Sequence, residues 1–361
     1  MDSLMETGLP AGHAARRRAL ATLFRAVAIT TVATASALSG CSGGGGGDDP
    51  PEPPPPPAPT PAPSPAPTGP IAAQLTVPTP VGYDTDRLAA FNRLNELRLA
   101  AGLGMLAQST AMDQAAQAHA DWMIANDSFT HEEAAGTPGF TGVNWSRRDE
   151  AFGYAPLGGS EVMAASGHAS AEIDALVNGV YHRAGMLAFE PVDVGIGWSA
   201  GAAANVSMPL VIDITKPGTD TIRSLGQAAQ PSIQGAAVWP IDGSLGVPLL
   251  LGAETPNPVP GQNVLTLGTP VSVTVDESRT ISATQFTLTN TASGSVVPTQ
   301  ILSNQNDSNF IIPESFIAAI PLVTLSPNTT YRVVFSGSTL QYPSGAVDAV
   351  SRTWSFTTGA Q

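Results

Sequence analysis

The chain has 361 residues, enough for two ordinary domains, and carries 15 basic against 29 acidic side chains, a formal net charge of −14. Four of its arginines (Arg16, Arg17, Arg18 and Arg25) lie in the N-terminal region, so the remainder lacks the basic surface that nucleic-acid binding requires. The one cysteine, Cys41, excludes an intramolecular disulfide and a thiolate metal site.

Residues 1–40 read as a lipoprotein signal peptide. A basic n-region precedes an apolar run from Ala19 to Ala37, interrupted by Arg25 and too short for a membrane-spanning helix. Leu38-Ser39-Gly40-Cys41 then resembles the lipobox of bacterial lipoproteins, which implies acylation of Cys41 and a membrane as partner. Ser42 after the cysteine resembles lipoproteins sent to a Gram-negative outer membrane, so the expected location is the cell envelope. Residues 41–83 form a linker: Gly43 to Gly47 keep it loose, and the proline-rich tract from Pro50 to Pro70 favours polyproline II at about 3.1 Å per residue.

A folded domain is expected over 84–216. Leu88, Phe91, Leu94, Leu97 and Ala101 recur near the helical period, with Asp84 to Asp86 as N-cap and Gly102 as stop. Thr110 and Asp113 resemble a capping box for a second helix ending near Asn126. Its apolar stripe of Met112, Ala115, Ala116, Trp122 and Met123 also carries His119, which reads as a core histidine supporting a site rather than as a ligand. The chain leaves the helix at Ser128 to His131, turns at Pro138 to Gly142, and starts a short helix at Ser146 that stops at Gly153. A third long helix begins at Ser170 with Ile173, Leu176, Val177 and Val180 on one face. Asp174, Asn178 and His182, four residues apart, form a polar strip opposite, unless Gly179 ends the helix first. Two strands, 192–198 and 207–214, close the domain.

Leu94-Asn-Glu-Leu-Arg98, Ala118-His-Ala-Asp-Trp-Met123, Phe129-Thr-His131, Gly139-Phe-Thr-Gly142, Gly159-Ser-Glu-Val162, Tyr181-His-Arg-Ala-Gly-Met-Leu187 and Val194-Gly-Ile-Gly197 together resemble the bacterial branch of the CAP superfamily, the SCP-like proteins. The resemblance covers about 86–216 and implies an α+β fold, a three-layer α-β-α sandwich with a central cleft. It also implies that two histidines and two acids can hold a divalent ion there. His131, Glu161 and His182 match three of the four, and the place of the second acid falls near Gly179, which has no carboxylate.

Two imidazoles and a carboxylate can bind zinc with a position open for water, or magnesium through carboxylate oxygen, but no His-Glu-x-x-His helix fixes them together. Gly195-x-Gly197-x-x-Ala200 spells a dinucleotide fingerprint without the helix that would follow it, and Ser160 lacks a Gly-x-Ser-x-Gly elbow. Glu132 and Glu133 read as a solvated pair, and Trp145 and Trp198 as core or cleft-wall residues.

Residues 217–260 read as a connecting segment rich in turns. Over 261–361 the period is 2, in strands near 271–275, 285–289, 296–302, 317–325, 331–335 and 353–357. These, with Pro327-Asn-Thr before a half-buried strand, resemble a bacterial immunoglobulin-like β-sandwich. It holds no histidine and reads as a spacer or as a module that contacts the cell wall or an envelope protein. The function expected is a lipid-anchored envelope protein binding a divalent metal or a small or lipidic ligand at His131, Glu161 and His182 without catalysis; the alternative is a metal-dependent, peptidase-like hydrolase using the same cleft.

Overall fold

Helix α1 (Thr85–Ala100) starts where Asp84 leaves extended backbone and accepts the Arg87 amide at 2.8 Å. The computed structural model describes residues 73–165, 167–217, 235–252 and 254–360, so the expected signal peptide, Cys41 and most of the expected linker lie outside the described residues. Helix α2 (Thr110–Asn126) is capped by Ser109, one residue before the expected cap, and ends on Asp127 in the left-handed region. Asn144 rather than Ser146 caps α3 (Trp145–Ala151).

Gly179 does end the next helix: its ψ of 143° divides α4 (Ala169–Asn178) from α5 (Val180–Met186). The polar strip is thereby broken. Asp174 pairs with Arg93 at 2.8 Å, Asn178 Nδ2 donates to Leu250 O at 2.6 Å, and His182 goes with α5.

Four strands, β1 (Ala107–Gln108), β2 (Pro156–Ala164), β3 (Asp193–Trp198) and β4 (Leu210–Pro217), form one sheet in the order β1-β3-β4-β2. Side chains alternate across it. Val162, Val194, Ile196, Leu210, Ile212 and Ile214 pack with α1 and α4, whereas Met163 and Val211 pack with α2. The domain is thus a three-layer α-β-α sandwich, with α2 and α3 on one face and α1, α4 and α5 on the other. Gly195 and Gly197 set the spacing of the first pair of layers, because a Cβ on either would lie 2.2–2.3 Å from the α2 backbone at Met112 and Ala116. The apparent fingerprint is therefore a seat for a helix.

The rest of the described chain is a sandwich of two four-stranded sheets. One has the order β5 (Ala236–Trp239), β7 (Val271–Val275), β10 (Phe316–Pro321), β9 (Thr299–Ser303). The other has the order β6 (Ser244–Val247), β12 (Val347–Thr358), β11 (Thr330–Gln341), β8 (Arg279–Asn290). The segment read as a connection therefore contributes two strands, β5 paired with β7 and β6 parallel to β12, and the sandwich begins at Ala236 rather than at 261.

Every residue of β7 and β10 is buried. Ile317 and Ala319 face the sandwich core, while Phe316, Ala318 and Ile320 on the other side pack with Val180, Tyr181 and Ala184 of α5. Burying a side chain of this size contributes about 1.5–3 kcal/mol. The sandwich is consequently docked on the first domain, and a simple spacer does not describe it. The fully buried Arg183 fastens the joint: it donates to Val177 O (2.7 Å) and Asn178 O (3.1 Å) on its own side, and to Pro270 O (2.9 Å) and Ser272 Oγ (3.2 Å) on the other.

Candidate functional site around His131 and Glu161

Glu161 lies on β2 between Ser160 and Val162, so it points to the face opposite Val162, toward α2 and α3. Its carboxylate is almost fully enclosed and both oxygens are engaged. Arg148 Nη2 of α3 donates to Oε2 at 2.5 Å, and His131 Nδ1 lies 2.8 Å from Oε1. Burial raises the Glu161 pKa, but the His131 hydrogen bond and the Arg148 charge together outweigh it and hold the carboxyl below its ordinary range. Arg148 Nη1 also donates to His131 O at 3.1 Å, so one guanidinium positions both the histidine's backbone and the carboxylate that orients its ring.

The His131 side chain is 54% exposed while the Glu161 carboxylate beneath it is 1% exposed. With Nδ1 directed at a carboxylate, the neutral ring presents an unprotonated Nε2 away from it. Phe129, Phe140 and Val143, on the same 128–144 loop, are all exposed.

A second layer of polar contacts fixes that loop. His119 is buried on α2 as its spacing implies, with Nδ1 at 3.0 Å from Glu133 Oε1 and Nε2 at 3.0 Å from Thr130 O. Burial pushes its pKa down. Glu133 is not solvated as expected: it is 2% exposed, and it accepts from the Thr141 and Gly142 amides at 2.7 and 3.2 Å. The loop closes around this carboxylate because two amides and a histidine replace the water it loses.

Two further acids lie beneath Glu161, and neither was singled out from the sequence. Asp213 faces Glu161 across the β2–β4 pair, and neither it nor Asp149 has a hydrogen-bond donor on either oxygen among the described residues. Burial first, then the neighbouring Glu161 and Asp149 charges, push Asp213 well above the usual carboxylate range. Asp149 is pushed up to about 7 by burial and by Glu161, with Arg148 opposing. Three enclosed carboxyls beside one guanidinium thus divide into an ionised Glu161 and two, Asp149 and Asp213, that burial and its charge push toward the protonated form.

His182 does not join this group. Helix α5 packs on the Ser160 side of β2, as the close approach of Gly185 to Ser160 Oγ shows, so His182 is on the other face of the sheet from Glu161. Its Nδ1 lies 3.0 Å from Glu254 Oε1, too oblique for a hydrogen bond. Glu254 also accepts from the Val180, Tyr181 (2.9 Å) and His182 (3.3 Å) amides, capping α5 from a distant segment. A Cβ on Gly179 would come within 3.0 Å of both Glu254 Oε1 and His182 Nδ1. The carboxylate missing from position 179 is therefore present in space, contributed by residue 254.

The expected three-residue set is not assembled, and it does not fit zinc or magnesium as arranged. Glu161 has its oxygens committed to a guanidinium and an imidazole, and His182 is turned toward Glu254 on the far side of the sheet. Among the described residues no group of three His, Cys, Asp or Glu side chains is placed to hold a metal ion.

A three-layer α-β-α domain with a carboxylate-anchored histidine on one face is the class defined by this geometry. Residues 91–207 match the CAP family, described as the cysteine-rich secretory protein family, and the first domain of the chain is a CAP domain. Solved structures similar to this chain include an extracellular protein containing a SCP domain from Bacillus anthracis str. Ames. It is 20% identical over 36% of this chain and 40% of that one, with a TM-score of 0.30, so the match spans well under two thirds of that protein. Another is an outer surface protein from Borrelia burgdorferi, 17% identical over 37% of this chain and 96% of that one, with a TM-score of 0.32. No curated protein matches. Among the described residues no helix is long and apolar enough to cross a membrane.

Proposed function

We propose that this chain is a cell-envelope protein, anchored through acylated Cys41 and carried on the 41–83 linker, whose CAP domain is a non-enzymatic binding module. The observation that carries the reading is the His131 ring, half-exposed yet fixed by a buried carboxylate that is itself held by a buried arginine. A rotamer fixed in this way offers a hydrogen-bond acceptor at Nε2 without an ordering cost on binding. The exposed Phe129, Phe140 and Val143 on the same loop suit a small ligand that combines a polar hydrogen-bond donor with apolar surface. Hydrolysis is disfavoured because, among the described residues, no serine or threonine is hydrogen-bonded to His131, and because Arg148 occupies the carboxylate that a metal-bound water would need.

Native mass spectrometry of the full chain released from membranes tests the binding reading. A small molecule retained by the unmutated protein and absent from His131→Ala is the expected result; identical spectra for the two would sink it. In parallel, titration with zinc should give no binding shared by His131 and His182, and a peptidase and esterase screen should find no turnover that depends on His131. Metabolic labelling with an alkyne fatty acid should mark the chain and fail to mark Cys41→Ser.

A further inference from the structure

On one side of the β-sandwich its two sheets end in the strands β8 and β9, and a groove of about 310 Å³ lies between them. Ile281 and Phe286 of β8, Ile301 of β9 and Ile317 of β10 give it apolar walls, and no charged side chain lines it. As the last strand of its sheet, each of β8 and β9 directs one row of backbone N–H and C=O groups away from its neighbour.

Most of those groups are taken. On β9 the side chain of Asn306 stands in for a further strand, donating to Ile301 O and accepting from the Ser303 amide, each at 2.7 Å. On β8 the Ile281 amide donates to Glu314 O at 2.9 Å at one end, and Leu288 O accepts from the Val297 amide at 2.8 Å at the other. The chain that pairs with Leu288 then leaves for the other sheet, where Pro298 O accepts from the Leu322 amide.

Between these two points the edge of β8 is open. Ala283 and Phe286 turn the same way as Ile281 and Leu288, their spacing reconciled by the bulge opposite Ser336 and Gly337. Their outward N–H and C=O groups have no partner among the described residues. From Thr280 to Asn290 the strand also holds no proline and no charge, two of the devices that keep an exposed edge from pairing.

We propose that this stretch of β8 takes an extended, uncharged segment of another protein chain as an added strand, with alternate apolar side chains entering the groove. The open backbone groups specify the occupant, because extended backbone offers donors and acceptors at the repeat of the strand. The apolar walls, free of charge, select its side chains. The window from 282 to 287 has room for about six residues at about 3.3 Å each.

The test follows the anisotropy of a fluorescently labelled peptide, Ser-Thr-Val-Thr-Val-Thr-Ser with blocked ends, titrated with the full chain. Saturable binding is expected, with slower hydrogen exchange at the Ala283 and Phe286 amides. Valines in the groove share a face with Ala283 and Phe286, so their amides are the ones that meet β8. N-methylation of both valines should weaken binding at least tenfold, whereas N-methylation of the middle threonine should leave it within about twofold. Ala283→Lys, which puts an ammonium where a valine would enter, should also weaken binding at least tenfold. His131→Ala should leave it unchanged, which separates this edge from the site proposed above. No saturable binding by the unmutated chain, or equal loss from the two methylated peptides, would overturn the assignment. So would a chain that self-associates through β8 and takes no peptide. The peptide comparisons need no variant to fold.

Discussion

The two faces of the CAP sheet carry the same three kinds of side chain and use them oppositely. On the α2–α3 face, Arg148 and His131 close on Glu161, and the histidine stands 54% exposed. On the α4–α5 face, Glu254 caps α5 beside a His182 that is 17% exposed, while Arg183 spans the joint to the β-sandwich. Identical chemistry thus ends at solvent on one face, where recognition is proposed, and at another domain on the other, where it serves docking. Residue type names neither role; what lies beyond the histidine decides it.

The comparison breaks most severely at the arginines. Arg183→Met removes a buried guanidinium that donates to four oxygens on both sides of the joint. It leaves those buried acceptors without a donor, at about 1–3 kcal/mol for each one left unsatisfied, and scanning calorimetry should split one unfolding transition into two. Arg148→Met strands Glu161 without its cation and should cost about 3 kcal/mol. Here the transition should stay single while the His131 ring loses its fixed orientation by NMR. Equal loss of domain coupling in both variants would erase the distinction between the faces.

Solution pH sharpens it. Asp149 and Glu277 bind protons more tightly in the folded chain, each near 7 against ordinary values of 3.8 and 4.5. Their stabilising contribution is complete below the unfolded values and is lost as pH rises through the folded ones. The melting temperature should therefore fall between about pH 4 and pH 7 and level off above that, each group contributing on the order of 2 kcal/mol or more, and Asp149→Asn should flatten the slope. Glu161, held low, acts with the opposite sign and is lost only below its ordinary range.

Smaller effects separate the two histidine–carboxylate pairs. Glu254→Gln should cost about 1–2 kcal/mol and speed hydrogen exchange at the Val180 to His182 amides without changing the exchange of β2. His131→Ala should cost less than about 1 kcal/mol, because its ring is half in solvent and Arg148 still holds Glu161.

The layer order of the CAP domain was legible in the sequence because α1, α2 and α4 each show their apolar stripe, and because Val192 to Trp198 alternates. Strand β2 was not, since Pro156, Gly158 and Gly159 disguise it; a Cβ at 159 would lie 2.3 Å from Ile214 O, so the cross-strand approach demands glycine where propensity argues against a strand. His131 and Glu161 could be paired through the family resemblance. Arg148 and Asp213 could not, because a single arginine in a short charged helix and a single aspartate in an apolar strand look like surface residues until their burial is known. Glu254 gave no local signal at all: its partners lie more than 70 residues earlier in the chain. The period-2 pattern located the sandwich but missed its docking: Phe316 to Pro321 is apolar at both parities in the sequence itself, and only α5 on the outer side of β10 supplies the reason.

Strand β10 also sets where this chain can be cut. Phe316, Ala318 and Ile320 are a continuous apolar ridge, and α5 is what keeps them dry. A β-sandwich expressed alone from residue 236 would carry that ridge on its surface, an adhesive stripe able to draw two copies together. A CAP domain ended at 216 would in turn lose the carboxylate from residue 254 that starts α5. The seam between the two domains is therefore a part of their common core, and dissecting the protein into halves should yield two sticky fragments in place of two working ones.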